Sequence, residues 1–417
     1  MAIDKNYTPK FYRSTAHMTV SEWEDVRRNS LGGSDMAVIL GLSPYENTRR
    51  DIYYQKIGVK PVLQPSSTQT VIFNAGHFLE NMVANIFSYR TGYEAYEIKA
   101  MFEHPNHPYL RGNIDRFYRR KGEKKPLGFL ECKTTSEYNS PEWADGKIPA
   151  HYKVQISTYM SILNMDSCKI SCLMIPESLR WVAGILYQMK SVFGALPINT
   201  LGDIYDSLNA IKNANLEPYV PLAISAIGGE MFVPEHLLED CSNAINSKLV
   251  ITDYERDECL EEIILQKAEE FWKEYVEKKV EPSLEGEKGS AAISTINKYI
   301  APKKVSVPIT LPDGDMLAEL KEEIDALKLK KSALNARAKA LDARIEKLSV
   351  PFIEALNGAP TGVYECDGKQ ISVSYQPGSV RKTISRQNLE RMKSTHPDAY
   401  KEYVTENPSK RTLKIGG

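Results

Sequence analysis

Three residues in the first third of the chain carry the clearest chemistry. In Gly112-Asn113-Ile114-Asp115 a carboxylate closes an apolar strand, and sixteen residues after Asp115 the run Leu130-Glu131-Cys132-Lys133 sets a second carboxylate and an ammonium at i and i+2. Strand alternation projects Glu131 and Lys133 from one face, while Leu130 and Cys132 turn to the core. If the two strands pair, Asp115 and Glu131 converge with Lys133 beside them. Hard oxygens of this kind hold Mg²⁺ at about 2.0–2.1 Å, and the lysine positions or activates a water. Hydrolysis of a phosphodiester needs that set. A salt-bridged strand face is the plain alternative for an isolated Asp…Glu-x-Lys. Two neighbours add context: Glu80, in Gly76-His77-Phe78-Leu79-Glu80, flanks an apolar helix stripe where it can border a cleft, and Gln155 and Tyr159 share a face one helical turn apart.

The elements that must position these residues follow from periodicity. Tyr109 to Arg119 and Gly128 to Thr135, joined by the basic, turn-rich Arg120 to Leu127, predict a β-hairpin. A helix is predicted over Phe73 to Tyr89, with Phe78, Leu79, Met82, Val83, Ile86 and Phe87 in one stripe. His151 to Asn164 reads as a helix, and Cys168 to Ile175 as a buried strand bounded by Pro176. Upstream lie a short helix around Ser21 to Asn29, with Ser21 as N-cap and Glu24 three residues on, a helix from Ser34 to Gly41, and a third from Asp51 to Ile57 ended by Gly58.

Downstream, residues 177 to 222 have weak periodicity and read as an insertion; a strand at Gly228 to Val233, a short helix and a charged helix from Asp253 to Lys279 follow. Residues 281 to 314 have the Pro, Gly and Ser content of a linker. Beyond them Leu320, Leu327, Leu334, Leu341 and Leu348 repeat at one heptad position, with Leu317, Ile324, Lys331, Ala338 and Ile345 at the other. This is a narrow seam on a helix of about 30 residues, which fits either packing within the chain or a self-associating coiled coil. Val363 to Cys366, Asp367-Gly368 and Lys369 to Tyr375 predict a hairpin with a type I′ turn, and a basic tail ends the chain.

Composition sets the bounds. The 417 residues, with Lys+Arg 53 against Asp+Glu 54, 42% hydrophobic and 26% charged, exclude disordered, collagen-like and membrane-channel classes and allow two to three domains. No apolar run approaches the roughly 20 residues of a membrane span, and the start of the sequence lacks a basic-then-apolar signal segment, so a cytoplasmic location is expected. Six scattered cysteines without a C-x-x-C argue against a disulfide framework or structural zinc. The near-zero net charge hides asymmetry: Arg111 to Lys133 holds eight Lys/Arg against three Asp/Glu, and Ser379 to Gly417 nine against four.

The motifs LGGSDMAVILGLSPYENT, GHFLE, GNIDRF, LECKTTS and HYKVQISTYM, in that order and covering roughly residues 20 to 175, resemble the YqaJ-type viral recombinase exonucleases. These are relatives of phage lambda exonuclease within the PD-(D/E)XK nuclease superfamily. ITDYERDECLEEIILQKAEEFWKEYV looks like the helix closing the family's core, and AYKEYVTENPSKRTLKI like the tail of longer members. The resemblance implies an α/β PD-(D/E)XK restriction-endonuclease-like core, a mixed sheet flanked by helices, over residues 1–280 with the insertion at 177–222. A linker at 281–314 and a C-terminal coiled-coil and hairpin module at 315–417 would follow.

By the same resemblance Asp115 and Glu131 would be metal-binding carboxylates, the Cys132 carbonyl a further ligand, and Lys133 the residue that orients the nucleophilic water. Glu80 would reach a metal directly or through water, Gln155 would contact substrate or support the site, and Tyr159 would line the groove. Arg27, with Arg28 as the alternative, and Ser34 match positions that bind a terminal 5′ phosphate, for which a guanidinium and a serine hydroxyl at a helix start are suited. The implied activity is a 5′-to-3′ exonuclease on double-stranded DNA ends with two Mg²⁺ (or Mn²⁺) ions. It would leave 3′ overhangs for a single-strand annealing protein and work as a ring-shaped homotrimer, and the C-terminal module would dock that protein or another subunit.

Three other readings share some of these features. An endonuclease of a restriction or phage-defence system would cut closed circles, and a non-catalytic DNA-binding assembly module would bind with a steep salt dependence but not cleave. An iron–sulfur nuclease needs four ligating cysteines, and Cys168 and Cys172 are placed on a core strand instead.

Overall fold

The structure is a computed structural model, which describes residues 3, 5–63, 67–175, 180, 249–301, 308–375, 386–397 and 400. Apart from Arg180, the expected insertion at 177–222 lies outside the described residues, as do the strand at Gly228 to Val233, the short helix after it and the tail from residue 401. The chain divides into two compact units, Met1–Pro302 and Lys303–Gly417.

In the first unit β1 (Lys10–Ser14), β3 (Ala100–His104) and β4 (His107–Asn113) form a three-stranded antiparallel sheet in the order β1-β3-β4. A five-stranded mixed sheet runs β2 (Tyr93–Tyr96), β5 (Arg116–Arg120), β6 (Gly128–Ser136), β7 (Ser167–Ile175) and β8 (Leu249–Glu255). Only β6 and β7 are parallel, and α5 (Ala150–Leu163) makes the crossover between them. The predicted hairpin therefore exists as β5 and β6, but Tyr109 to Arg119 is not one strand. It breaks at Ile114-Asp115, giving β4 to one sheet and β5 to the other. Asp115 sits in that break.

Phe129 through Cys132 on β6 and Cys168 through Ile175 on β7, except Lys169, are buried without alternation, the pattern of strands covered on both faces. Helix α4 (Ser67–Thr91), longer at both ends than predicted, buries Leu79, Met82, Val83, Ile86 and Phe87 and packs on β2, β6 and β7. Helix α5 packs against α2 (Gly33–Ile39) and ends at Asn164, whose φ of 51° forms a left-handed cap.

Several predicted boundaries move. α1 spans Val20–Arg28 and its cap is Thr19, not Ser21: Thr19 Oγ1 accepts from the Glu22 amide at 3.2 Å and the Glu22 carboxylate accepts from the Thr19 amide at 2.8 Å. The charged helix starts later, because Asp253 to Glu255 belong to β8; α6 covers Glu258–Phe271 and continues as a π-helical turn, Trp272–Glu277.

The expected linker folds in its first part. Helix α7 (Gly289–Tyr299) packs on α3 (Arg49–Lys56): Lys298 Nζ donates to Asp51 Oδ1 at 2.8 Å, Thr295 donates to the same carboxylate, and the Thr48 and Thr295 hydroxyls meet at 2.9 Å. Asp51 and Thr48 are fully buried, so α7 supplies partners that a linker would not.

In the second unit α8 spans Gly314–Leu356, forty-three residues, followed by the hairpin β9 (Thr361–Cys366) and β10 (Lys369–Ser374) and by α9 (Arg386–Thr395). Asp367 and Gly368 at the hairpin turn have φ of 52° and 70°, the two positive values a type I′ turn needs. No helix of the described residues is long and apolar enough to cross a membrane.

Candidate active site

The break between the sheets builds the site. Arg116 pairs with Leu130 at the last rung of the β5–β6 ladder, so the two chains continue past it with Asp115 beside the Glu131–Cys132 segment. There the Cys132 amide donates to Asp115 Oδ2 at 2.9 Å, a side-chain carboxylate standing where a backbone acceptor would otherwise be. The N–H and C=O of a strand residue point to the same side, so the Cys132 carbonyl faces this open end as well. Its thiol is buried, as are those of Cys168 and Cys172 on β7.

Glu131 is 1% exposed. Its Oε1 accepts from Lys133 Nζ at 2.6 Å and from Gln155 Nε2 at 2.7 Å, and Gln155 Nε2 also lies 3.3 Å from the Tyr159 hydroxyl. Oε2 of Glu131 is buried with no hydrogen-bond partner. Asp115, Glu131 and Lys133 are thus brought together as the spacing predicts, and Gln155 and Tyr159 join them as the resemblance implies. Tyr152 contributes its ring, 5.0 Å below the Lys133 ammonium.

Glu80 stands at the margin of this cluster. Its Oε1 accepts from Arg116 Nη1 at 2.8 Å, while the same guanidinium donates to Asn81 Oδ1 and to the Asp115 carbonyl. Arg116 went unnoticed in the sequence, although it sits inside GNIDRF directly after the key aspartate. His77, one turn before Glu80, was also passed over; burial holds its imidazole below the ordinary range, against the pull of Asp115.

The electrostatics are those of crowded acids. Burial, then the charge of Asp115, pushes Glu131 up to about 8 despite Lys133. Burial, then Asp115, raises Glu80 to about 7 against the opposing Arg116. Burial disfavours the Lys133 ammonium, but Glu131 and Asp115 outweigh it and hold its pKa well above the usual lysine value. Lys133 is therefore a fixed cation, and the carboxylates still repel one another.

A divalent ion fits this arrangement on the evidence of the unpartnered Glu131 Oε2 and that residual repulsion. Among the described residues no three His, Cys, Asp or Glu side chains are gathered into a closed metal cage.

The front elements reach the same place. Gly33 packs so tightly on α5 that a Cβ there would lie 2.8 Å from Gln155 Cγ and from its backbone oxygen. Ser34, the next residue, is exposed. Arg27, at the end of α1, is half exposed, and its Nη2 lies 3.8 Å from Asp35 Oδ1. Asp35 is buried; it accepts from Lys56 Nζ at 2.7 Å and from the Gly32 amide at 2.9 Å. Arg28 instead pairs with Asp25 at 3.2 Å, on its own helix. Between the two arginines, the structure ties only Arg27 to the Ser34 turn.

Residues 22–166 match the model of the YqaJ-like viral recombinase domain. Every predicted site residue, from Arg27 to Tyr159, falls inside that match. The uncharacterized protein YqaJ of Bacillus subtilis (strain 168) is 38% identical over 151 residues, 36% of this chain and 44% of that protein. The chain therefore spans less than half the length of the curated relative it matches. Two solved structures of the alkaline exonuclease LHK-Exo from Laribacter hongkongensis, one in complex with dAMP, align over 62% of this chain and 94% of theirs; identities are 15% and 14%, and the TM-score is 0.37 for each. The matched region thus contains the whole carboxylate and lysine constellation, while α6, α7 and the second unit lie beyond it.

Proposed function

We propose that this protein is a Mg²⁺-dependent nuclease that shortens one strand of duplex DNA from its 5′ end and leaves a 3′ single strand for an annealing protein. The observation that carries the reading is Glu131: a buried carboxylate fixed through one oxygen by Lys133 and Gln155, its other oxygen without a hydrogen-bond partner and the whole group within the field of Asp115. Asp115, Glu131 and the Cys132 carbonyl would hold the ion, with Glu80 reached through water. Bound there, it supplies charge neutralisation at the phosphate and a more acidic water.

The chain's own residues supply the rest. Lys133, cationic and braced by Glu131 and the Tyr152 ring, is placed to orient the attacking water. Gln155 fixes the Glu131 rotamer from α5, and Tyr159 packs beneath it. Arg27, steered by Asp35, and Ser34 present a guanidinium and a hydroxyl suited to a terminal phosphate, which would start digestion at 5′ ends. The site itself faces DNA, and a ring of copies around the duplex would make digestion processive.

The test compares the protein with Lys133→Ala on linear duplexes labelled at either end, with and without 5′ phosphate, beside a closed circle, in Mg²⁺ or Mn²⁺. Progressive loss from phosphorylated 5′ ends, absent on the circle and in the variant, is expected. Cutting of the circle would replace this reading with an endonuclease, and no cleavage in either metal would leave a DNA-binding module.

A further inference from the structure

Among the described residues of the second unit, nothing covers the heptad stripe of α8. None of the helix's forty-three residues is buried, and Leu320, Leu327, Leu334, Leu341 and Leu348 are between 47% and 63% exposed. Helices in proteins owe most of their stability to packing an apolar face, and this one extends for about 1.5 Å per residue without doing so.

We propose that the occupant is the same helix of a second copy, in parallel and in register, and that α8 is a dimeric coiled coil. The charges beside the seam favour this partner. In a parallel pair each residue flanking one core position faces the partner residue five further on. Glu323 then meets the partner's Lys328 and Arg337 meets the partner's Asp342, each twice by symmetry, with no like-charged pair along the flanks. Turned antiparallel over the same stretch, Lys330 meets the partner's Arg337, a like-charged contact. The core agrees: leucine holds one heptad position throughout, the other carries Ile324 and Ile345 beside Leu317 and Ala338, and Lys331 stands at a single core step, a pattern that favours two strands and fixes register. This interface belongs to the second unit and does not depend on the nuclease reading.

Light scattering on the full-length chain tests it. Leu327→Glu with Leu334→Glu is expected to halve the number of copies per particle, whatever association the first unit has. Because those changes can also weaken the helix, a charge exchange provides a milder probe: Glu323→Lys should lower the association, and adding Lys328→Glu should restore it. In a background with Cys241→Ser, Cys259→Ser and Cys366→Ser, Leu334→Cys should cross-link under mild oxidation and Ala336→Cys, on the outer face, should not. An unchanged copy number in the double glutamate variant, or equal cross-linking at 334 and 336, would overturn the proposal.

Discussion

At the scale of single residues Glu131 and Asp35 strike opposite balances between burial and their partners. Gln155 donates to Glu131 and to the Tyr159 hydroxyl and otherwise packs on Gly33, so Gln155→Ala should leave the fold intact. Losing such a supporting contact is expected to weaken metal-dependent cleavage roughly 10- to 100-fold, read by titrating activity against Mg²⁺. Asp35 has the opposite balance. Burial works against its carboxylate, but Lys56, Arg27 and the Gly32 amide outweigh it and hold its pKa below the ordinary value. Lys56 faces one carboxylate, and burial together with Arg27 pulls it down. Since the folded-state pKa of Asp35 is the lower one, its contribution is complete above the unfolded value of about 3.9 and disappears as pH falls through the folded value. Asp35→Asn should therefore cost about 3–5 kcal/mol at neutral pH, because Lys56 stays buried without its partner, and should flatten the acid side of the stability curve. Urea unfolding between pH 2.5 and 7 reads both effects.

At the scale of elements, two glycines set how closely the layers approach. A Cβ at Gly33 would press on Gln155, and one at Gly112 would lie 3.0 Å from Tyr159 Cδ1. Gly33→Ala is expected to push α2 off α5 and cost about 1–3 kcal/mol, moving Gln155 away from Glu131 and lowering activity more than Gly112→Ala, which meets only a ring edge. Melting curves beside cleavage rates would show it, and equal losses for both would count against the α2–α5 contact as the positioning device. The site was legible because its signals are local. Alternation put Glu131 and Lys133 on one face, a helical turn joined Gln155 to Tyr159, and Asp-Gly announced the C-terminal turn. What was not legible depended on partners distant in sequence. The alternation runs unbroken through Asn113, Ile114 and Asp115, so nothing local shows that one strand changes sheets there. Arg116 reads as one more basic residue until Glu80 and Asn81 arrive from α4. The Gly-Ser-Ala-Ala start of α7 has linker composition, and only the buried Asp51 waiting on α3 reveals its place.

At the scale of the whole molecule that last point separates two boundaries. Ending the first domain at residue 280, as composition suggests, removes Thr295 and Lys298 from Asp51, Glu287 from Arg49, and the Pro282 carbonyl from Arg50. Asp51 would remain on α3 with only the Thr48 amide and hydroxyl as donors, at 2.9 and 3.1 Å. Ending it at Pro302, where the compact unit stops, keeps all of these contacts. The hydrophobic cluster that runs from Leu31 on the approach to α2 to Phe271 on α6 lies wholly within either fragment, so a difference between them comes from residues 281–302, the buried Ala291 of α7 among them. The 1–302 fragment should melt close to the first transition of the full chain. The 1–280 fragment should lose about 3–5 kcal/mol, the cost of a buried carboxylate stripped of its cation, and expose the apolar side of α3. Calorimetry on the two fragments decides it: equal melting temperatures would return residues 281–302 to the role of a linker, and a deficit confined to 1–280 would make α7 part of the folded core.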